Sequence, residues 1–387
     1  MQTCYGTRSL HFAARHCVLW SRRKSTAARP GKLGDPSMTL LTEPRMNQAM
    51  LEHLKPELLL GKYGVVGEPL PFPFGPDLPL FLQHKWTDFL EHFILPNVIT
   101  EEKTRMADLS GIDQRTETIT GADGNSIELF IATPKSSRRP APGLLHTHGG
   151  AMTFMSTNDL MYRNYRAFLA SRGFVVVSVE FRNASGKLGP HPYPAGLTDC
   201  MSALAWTDAN RERLGISKLV LHGDSGGGNL CSAMAIRAKR EGRLSEFDGV
   251  YAMCPFIAGP KVWSAKALKS LLECEGYFID MKAFLVCARL YDPELRSLDD
   301  PCAWPLVAKP ADLKGLPPHM ISVNELDPFR DEGLAYCEKL KGAGVSADSR
   351  VVKGTPHGGE FACSNVPGCE PIFDETLDSI MAFAESL

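Results

Sequence analysis

Residues 219–229 read Leu-Val-Leu-His-Gly-Asp-Ser-Gly-Gly-Gly-Asn. An apolar run enters Gly223-Asp224-Ser225-Gly226-Gly227, and Leu230–Arg240 beyond it, rich in Ala, Met and Leu, reads as a helix. Strand, sharp turn and helix in that order form a nucleophile elbow. The strained turn holds a serine hydroxyl clear of the sheet, and glycines on either side let neighbouring backbone approach closely. Gly-x-Ser-x-Gly by itself says little in a chain with 34 glycines. The strand before it and the helix after it give it weight, provided the chain also supplies the partners such a serine needs.

Upstream, Thr116–Thr120 alternates and Ile127–Ala132 is apolar, with the hairpin signal Asp123-Gly124-Asn125 between them. The order that follows is strand Gly143–His148, helix Asp159–Arg172 ended by Gly173, strand Phe174–Phe181 and helix Asp199–Leu214 closed by Gly215. Downstream come strands Gly249–Cys254 and His319–Asn324, helix Asp331–Gly342, strand Asp348–Lys353 and a closing helix Phe373–Leu387. Short, buried, apolar strands alternating with helices predict an α/β fold with a mostly parallel sheet covered on both faces. About sixty residues between Cys254 and His319 contain no clear core strand, although Val262–Leu271 and Met281–Tyr291 look helical. Long insertions of this kind are usually lids or binding elements.

Before the first strand, Thr42–Leu60 has Met46, Met50, Leu54 and Leu58 at helical spacing. Pro69–Pro79 reads as a proline-rich loop, and Leu80–Leu95 as a helix bearing Phe81, Trp86, Phe89 and Phe93. Residues 1–34 carry seven Arg and Lys and no acidic residue before Asp35. Such a segment resembles a mitochondrial transit peptide, so 1–37 is set apart as a basic tail and the protein is expected in the cytoplasm or mitochondria. A chain of 387 residues with 44% apolar and 22% charged residues suits a large soluble α/β domain. A net charge of −2 gives no electrostatic case for nucleic acid, and no run of ~18 apolar residues indicates a membrane span. Eleven scattered cysteines without Cys-x-x-Cys pairs predict buried thiols rather than a disulfide framework or zinc site.

A serine hydroxyl needs a base, a group to orient that base, and donors for the oxyanion that forms. On a parallel sheet these follow in the order Ser, Asp or Glu, His. Only His319 and His357 lie well downstream of Ser225. His319 opens a strand, the wrong end for a site that gathers at carboxyl ends, whereas Thr355-Pro356-His357-Gly358-Gly359 follows the last strand. Asp327 in Val-Asn-Glu-Leu-Asp-Pro-Phe-Arg-Asp lies just past strand 319–324. Asp331 reads as the cap of the next helix, and Glu325 as a strand-end residue. His148-Gly149-Gly150-Ala151 can present backbone N–H groups together with that of Gly226.

His148-Gly149-Gly150, Gly223–Asn229, Asp327-Pro328-Phe329-Arg330-Asp331-Glu332 and His357-Gly358 together resemble the hormone-sensitive-lipase-like branch of the α/β-hydrolases. Glu180-Phe181-Arg182 is similar to the family's Asp-Tyr-Arg, and His191-Pro192-Tyr193-Pro194-Ala195 to its His-Pro-Phe-Pro-Ala. The resemblance spans roughly 110–387 and implies an eight-stranded sheet with a helical cap from about 38–105 and 256–300 over a core of 110–255 and 301–387. It implies a carboxylesterase for short to medium acyl chains with Ser225 as nucleophile, Asp327 as acid and His357 as base. Gly149, Gly150, Ala151 and Gly226 fall at its oxyanion hole. The family's third glycine is Ala151 here, Gly359 stands where Phe is usual, and Glu180 replaces Asp. No metal or organic cofactor is implied. The expected partner is a small-molecule ester, and a homodimer is left open. The same three residues would also serve an amide, formamide or lactone hydrolase or an acyltransferase. A ligand receptor is a further reading, although the plant hormone receptors that resemble this family lose the histidine.

Overall fold

The computed structural model describes residues 30–59, 75–98, 100–101, 104–135, 140–263 and 268–387. Eight strands form one sheet: β1 (Ile112–Thr120), β2 (Ser126–Pro134), β3 (Ala141–Thr147), β4 (Val175–Val179), β5 (Ile216–Asp224), β6 (Gly249–Met253), β7 (His319–Asn324) and β8 (Ala347–Val352). Their order is β1-β2-β4-β3-β5-β6-β7-β8. The pairs β1–β2 and β2–β4 are antiparallel, and every other pair is parallel. This is the mixed, mostly parallel sheet that the alternation predicts.

Among the described residues, eight helices have eight or more residues: α1 (Gln48–Leu59), α2 (Leu80–Phe89), α3 (Leu160–Ser171), α4 (Ala195–Ala209), α5 (Gly226–Glu241), α6 (Met281–Tyr291), α7 (Arg330–Gly342) and α8 (Glu370–Glu385). Successive strand residues point to opposite faces, and the sheet accordingly feeds two cores. Leu145, Val177, Leu221, Val250 and Ile321 pack with α4, α5 and α7. Leu144, Val176, Val220 and Tyr251 pack with α3 and α8. Because both faces are covered, β4 and β6 are buried along their whole length. Edge strand β1, by contrast, is exposed or half-buried after Ile112.

Several elements differ from their expected form. The helix expected over 199–214 starts earlier, at Ala195, and stops at Ala209, because the Asn210 side chain donates to Trp206 O at 2.7 Å and diverts the backbone. A separate turn, Arg211–Leu214, then ends on Gly215 at φ +70°. Val262–Leu271 is not one helix: Gly259–Val262 and Ser270–Glu273 are single turns, and 264–267 lie outside the described residues. Helix α6 is capped by Asp280, which accepts from Lys282 N–H at 2.7 Å. In the N-terminal region, 42–47 form turns rather than the start of a helix. Most of the basic tail and much of the proline-rich loop fall outside the described residues.

The N-terminal region is tied to the rest of the chain by polar contacts. Glu91 accepts the amides of Met155 at 2.5 Å and Lys187 at 2.6 Å, and Trp86 meets Phe154 edge-on at 6.3 Å. Arg45 and Arg330 both grip buried Glu273, at 2.7 and 2.8 Å. Nine cysteines, all buried, are free thiols among the described residues. No described helix is long and apolar enough to cross a membrane.

Candidate active site

Ser225 occupies the junction of β5 and α5 with φ +52° and ψ −115°, a conformation few non-glycine residues adopt. The end of β6 holds it there. Its N–H donates to Met253 O at 2.9 Å, and its carbonyl accepts from Phe256 N–H at 3.1 Å. The turn tolerates no bulk at its next residues, since a Cβ on Gly227 would lie 2.1 Å from Thr147 O. Strained backbone fixed by its surroundings is how a serine is held out of a sheet.

Loops after β7 and β8 carry Asp327 and His357 to this point. Ser225 Oγ lies 2.9 Å from His357 Nε2, and His357 Nδ1 lies 2.8 Å from Asp327 Oδ2. A carboxylate can only accept, so Nδ1 carries the hydrogen and Nε2 turns its lone pair to the serine. The other carboxylate oxygen of fully buried Asp327 accepts from Phe329 N–H at 2.8 Å. Phe329 and Phe284 set their rings edge-on to the imidazole at 5.4 and 6.1 Å.

The other candidate acids and base stand apart from this row. Glu325 accepts from Gly354 N–H at 2.9 Å and binds Lys353 at 3.2 Å. Asp331 is not the helix cap. Helix α7 begins one residue earlier, at Arg330, after the turn closed by the Asp327–Phe329 hydrogen bond. Asp331 instead accepts from Ser270 N–H at 2.9 Å and pairs with Arg330. His319 donates to Pro317 O at 2.7 Å at the opposite end of the sheet, and burial pushes its pKa down to about 4.

The glycine loop after β3 turns at Gly150, Ala151 and Met152 with φ of +92°, +53° and +59°. It lies on the start of α5: a Cβ on Gly226 would lie 2.7 Å from Ala151 N and 2.6 Å from Met152 N. The Gly149 N–H donates to Tyr162 Oη at 2.8 Å and is therefore occupied. The Gly150 and Ala151 amides have no acceptor among the described residues, and Gly226, first in its helix, has none within it. Three backbone donors thus remain beside Ser225.

Five further polar residues support the site, and the sequence assigned no role to any of their side chains. Tyr162 Oη donates to Asp224 Oδ2 at 3.1 Å, while burial raises the Asp224 carboxyl to about 6 and leaves Oδ1 unpartnered. Glu332 accepts from the Ile257 and Ala258 amides at 3.0 and 3.1 Å, and burial raises it to about 8. Glu360, one turn after His357, accepts from Ser322 Oγ at 2.7 Å and so ties the histidine loop to β7. His148, stacked on Phe181 at 4.2 Å, donates to Gly149 O at 2.7 Å; burial pushes it down to about 4 and keeps it neutral. A buried charge type inside a motif gives little sign of its partners when those lie tens of residues away.

Comparison with known proteins agrees with this architecture. The alpha/beta hydrolase fold family matches residues 144–360. Carboxylesterase NlhH of Mycobacterium tuberculosis is 33% identical over 245 residues, which cover 61% of this chain and 72% of that protein. The gibberellin receptor GID1B of Arabidopsis thaliana is 30% identical over 246 residues, 61% of this chain and 65% of the receptor. Among solved structures, brefeldin A esterase, described as a bacterial homologue of human hormone-sensitive lipase, superposes with TM-score 0.83 at 38% identity, covering 92% of this chain and 98% of its own. The chain belongs to the α/β-hydrolase family, within its hormone-sensitive-lipase-like group of carboxylic ester hydrolases.

Proposed function

We propose that the protein cleaves small-molecule esters of short to medium acyl chains through an acyl-enzyme on Ser225. His357 Nε2 takes the hydroxyl proton as Oγ attacks the ester carbonyl. Asp327 keeps the imidazole in the required tautomer and stabilises its charged form. The amides of Gly150, Ala151 and Gly226 receive the oxyanion, and loss of one such donor costs ~3 kcal/mol of transition-state stabilisation. His357 then returns the proton to the departing alcohol. It next activates a water that releases the acid and restores Ser225.

The observation that carries this reading is the row Ser225 Oγ–His357 Nε2–Asp327 Oδ2, with spacings of 2.9 and 2.8 Å. A receptor on this fold needs no general base, so an imidazole held between serine and carboxylate favours hydrolysis. The segments 38–105 and 256–300 act as the cap that selects the acyl group, consistent with Phe284 lying edge-on to His357. Ser225→Ala assayed with p-nitrophenyl butyrate tests the assignment. Turnover should fall by roughly 10³-fold or more, and retained turnover refutes it. A panel of acyl lengths, amides and lactones separates ester cleavage from its alternatives. We further propose action in the cytoplasm or mitochondria, which a reporter fused to residues 1–40 distinguishes.

A further inference from the structure

A thiol stands beside the hydrogen-bonded row. Cys254 follows β6 with φ +34° and is fully buried. Its N–H donates to Ser322 O at 2.7 Å, which fixes its backbone against β7. Candidate ligand atoms of Cys254, Asp327 and His357 all lie within 4.8 Å of one another, and no other His, Cys, Asp and Glu group among the described residues gathers in this way. Thiolate, imidazole and carboxylate form a donor set that suits Zn²⁺ or Cd²⁺ and selects against Mg²⁺ and Ca²⁺.

We propose that Cys254, Asp327 and His357 form an inhibitory site for a thiophilic divalent cation. Zinc bonds of about 2.0–2.3 Å place ligand atoms about 3.3–3.7 Å apart across a tetrahedron. The Asp327–His357 contact of 2.8 Å has to widen by roughly half an ångström to admit the ion. The charge around the thiol favours this. Burial first, then the carboxylates of Asp327, Asp224 and Glu360, push the Cys254 thiol upward, so it is protonated without a metal. The same carboxylates attract a cation, and a bound cation expels the thiol proton.

Coordination removes the base wherever the ion attaches to the ring. A metal on Nδ1 takes the place of its hydrogen and breaks the link to Asp327, leaving Nε2 protonated. A metal on Nε2 takes the lone pair that would receive the Ser225 proton. In both forms the Cys254 proton leaves to solvent as the thiolate takes the ion. The inhibition itself rests on the proposed role of His357, whereas metal binding does not.

The test uses the full chain with ZnCl₂, CdCl₂ and MgCl₂. Zn²⁺ should lower p-nitrophenyl butyrate hydrolysis by about tenfold or more, while Mg²⁺ leaves it unchanged. Cys254→Ser and Cys254→Gly should keep the metal-free rate and lose the Zn²⁺ sensitivity; glycine also accepts the positive φ. Binding is read separately through cadmium–thiolate ultraviolet absorption at one Cd²⁺ per chain. That signal should be present in the wild type, absent in both variants, and independent of any esterase activity. Equal inhibition of wild type and variants, equal inhibition by Mg²⁺, or a cadmium signal that survives Cys254→Ser would each overturn the proposal.

Discussion

The Tyr162 hydroxyl donates to Asp224 at 3.1 Å while accepting the Gly149 amide at 2.8 Å, so a single phenol joins the glycine loop to the residue before Ser225. Tyr162→Phe removes that joint without changing the ring packing. The proposed oxyanion donors should then be held less firmly, and kcat should fall about tenfold, equivalent to ~1.4 kcal/mol. KM should stay within about twofold, since the role proposed for the loop is toward the charge that develops during reaction. Steady-state kinetics with p-nitrophenyl butyrate measure both, and an unchanged kcat contradicts the role.

Asp327→Asn probes orientation rather than presence of the proposed base, His357. The amide keeps an oxygen for Phe329 N–H but turns a donor toward the imidazole, favouring the wrong tautomer. By analogy with the serine protease triad, kcat should drop by roughly 10⁴-fold. Near-ultraviolet circular dichroism should stay unchanged, which shows that the loss is not one of fold.

Glu332 gives a pH signature. Burial disfavours its charge and raises the carboxyl in the folded chain to about 8, above the 4.5 of a free glutamate. Between those values the folded chain holds a proton that the unfolded chain has released. Stability from this group is therefore full below about 4.5, declines as pH rises, and levels off above about 8. Glu332→Gln cannot ionise. The difference in Tm between wild type and variant should shift against the wild type from roughly pH 5 to 8 and then become constant. A difference independent of pH contradicts the assignment.

Glu273 is the shared partner of Arg45 and Arg330, with its side chain 4% exposed. Glu273→Ala removes the carboxylate that the two guanidinium groups share, leaving Arg45 with Glu43 and Arg330 with Asp331. Because each arginine keeps one carboxylate, the loss should stay below the ~3–5 kcal/mol of a fully uncompensated buried charge, and urea unfolding should still move to a lower midpoint. Arg45→Met alone should cost less, because Arg45 is the most exposed of the three at 26%.

What was legible in the sequence is what local sterics dictate. The elbow, the strand runs and the Gly-capped helix ends follow from apolar period and glycine placement. Ser225, Asp327 and His357, singled out by their order and their places after strands, do meet in one hydrogen-bonded row. What stayed hidden depends on groups distant in the chain. Asp224 and Tyr162 are 62 positions apart, and Glu332 meets amides about 75 positions upstream. Asp331 looked like a helix cap because capping is a local preference, but Asp327 closes the preceding turn and frees Asp331 for Ser270. The break at Asn210 was missed for the converse reason: one side-chain hydrogen bond outweighs the helical preference of its neighbours.

Ser225 and His357 lie 132 positions apart, on loops separated by two intervening strands of the sheet. Their meeting requires β6, β7 and β8 to be in register, so a partly assembled chain presents an ordinary alcohol. Covalent labelling of Ser225 by a fluorophosphonate should therefore appear only when the last strand docks. This makes the protein its own reporter: during refolding or synthesis on the ribosome, the labelled fraction counts the chains whose long-range pairing is complete.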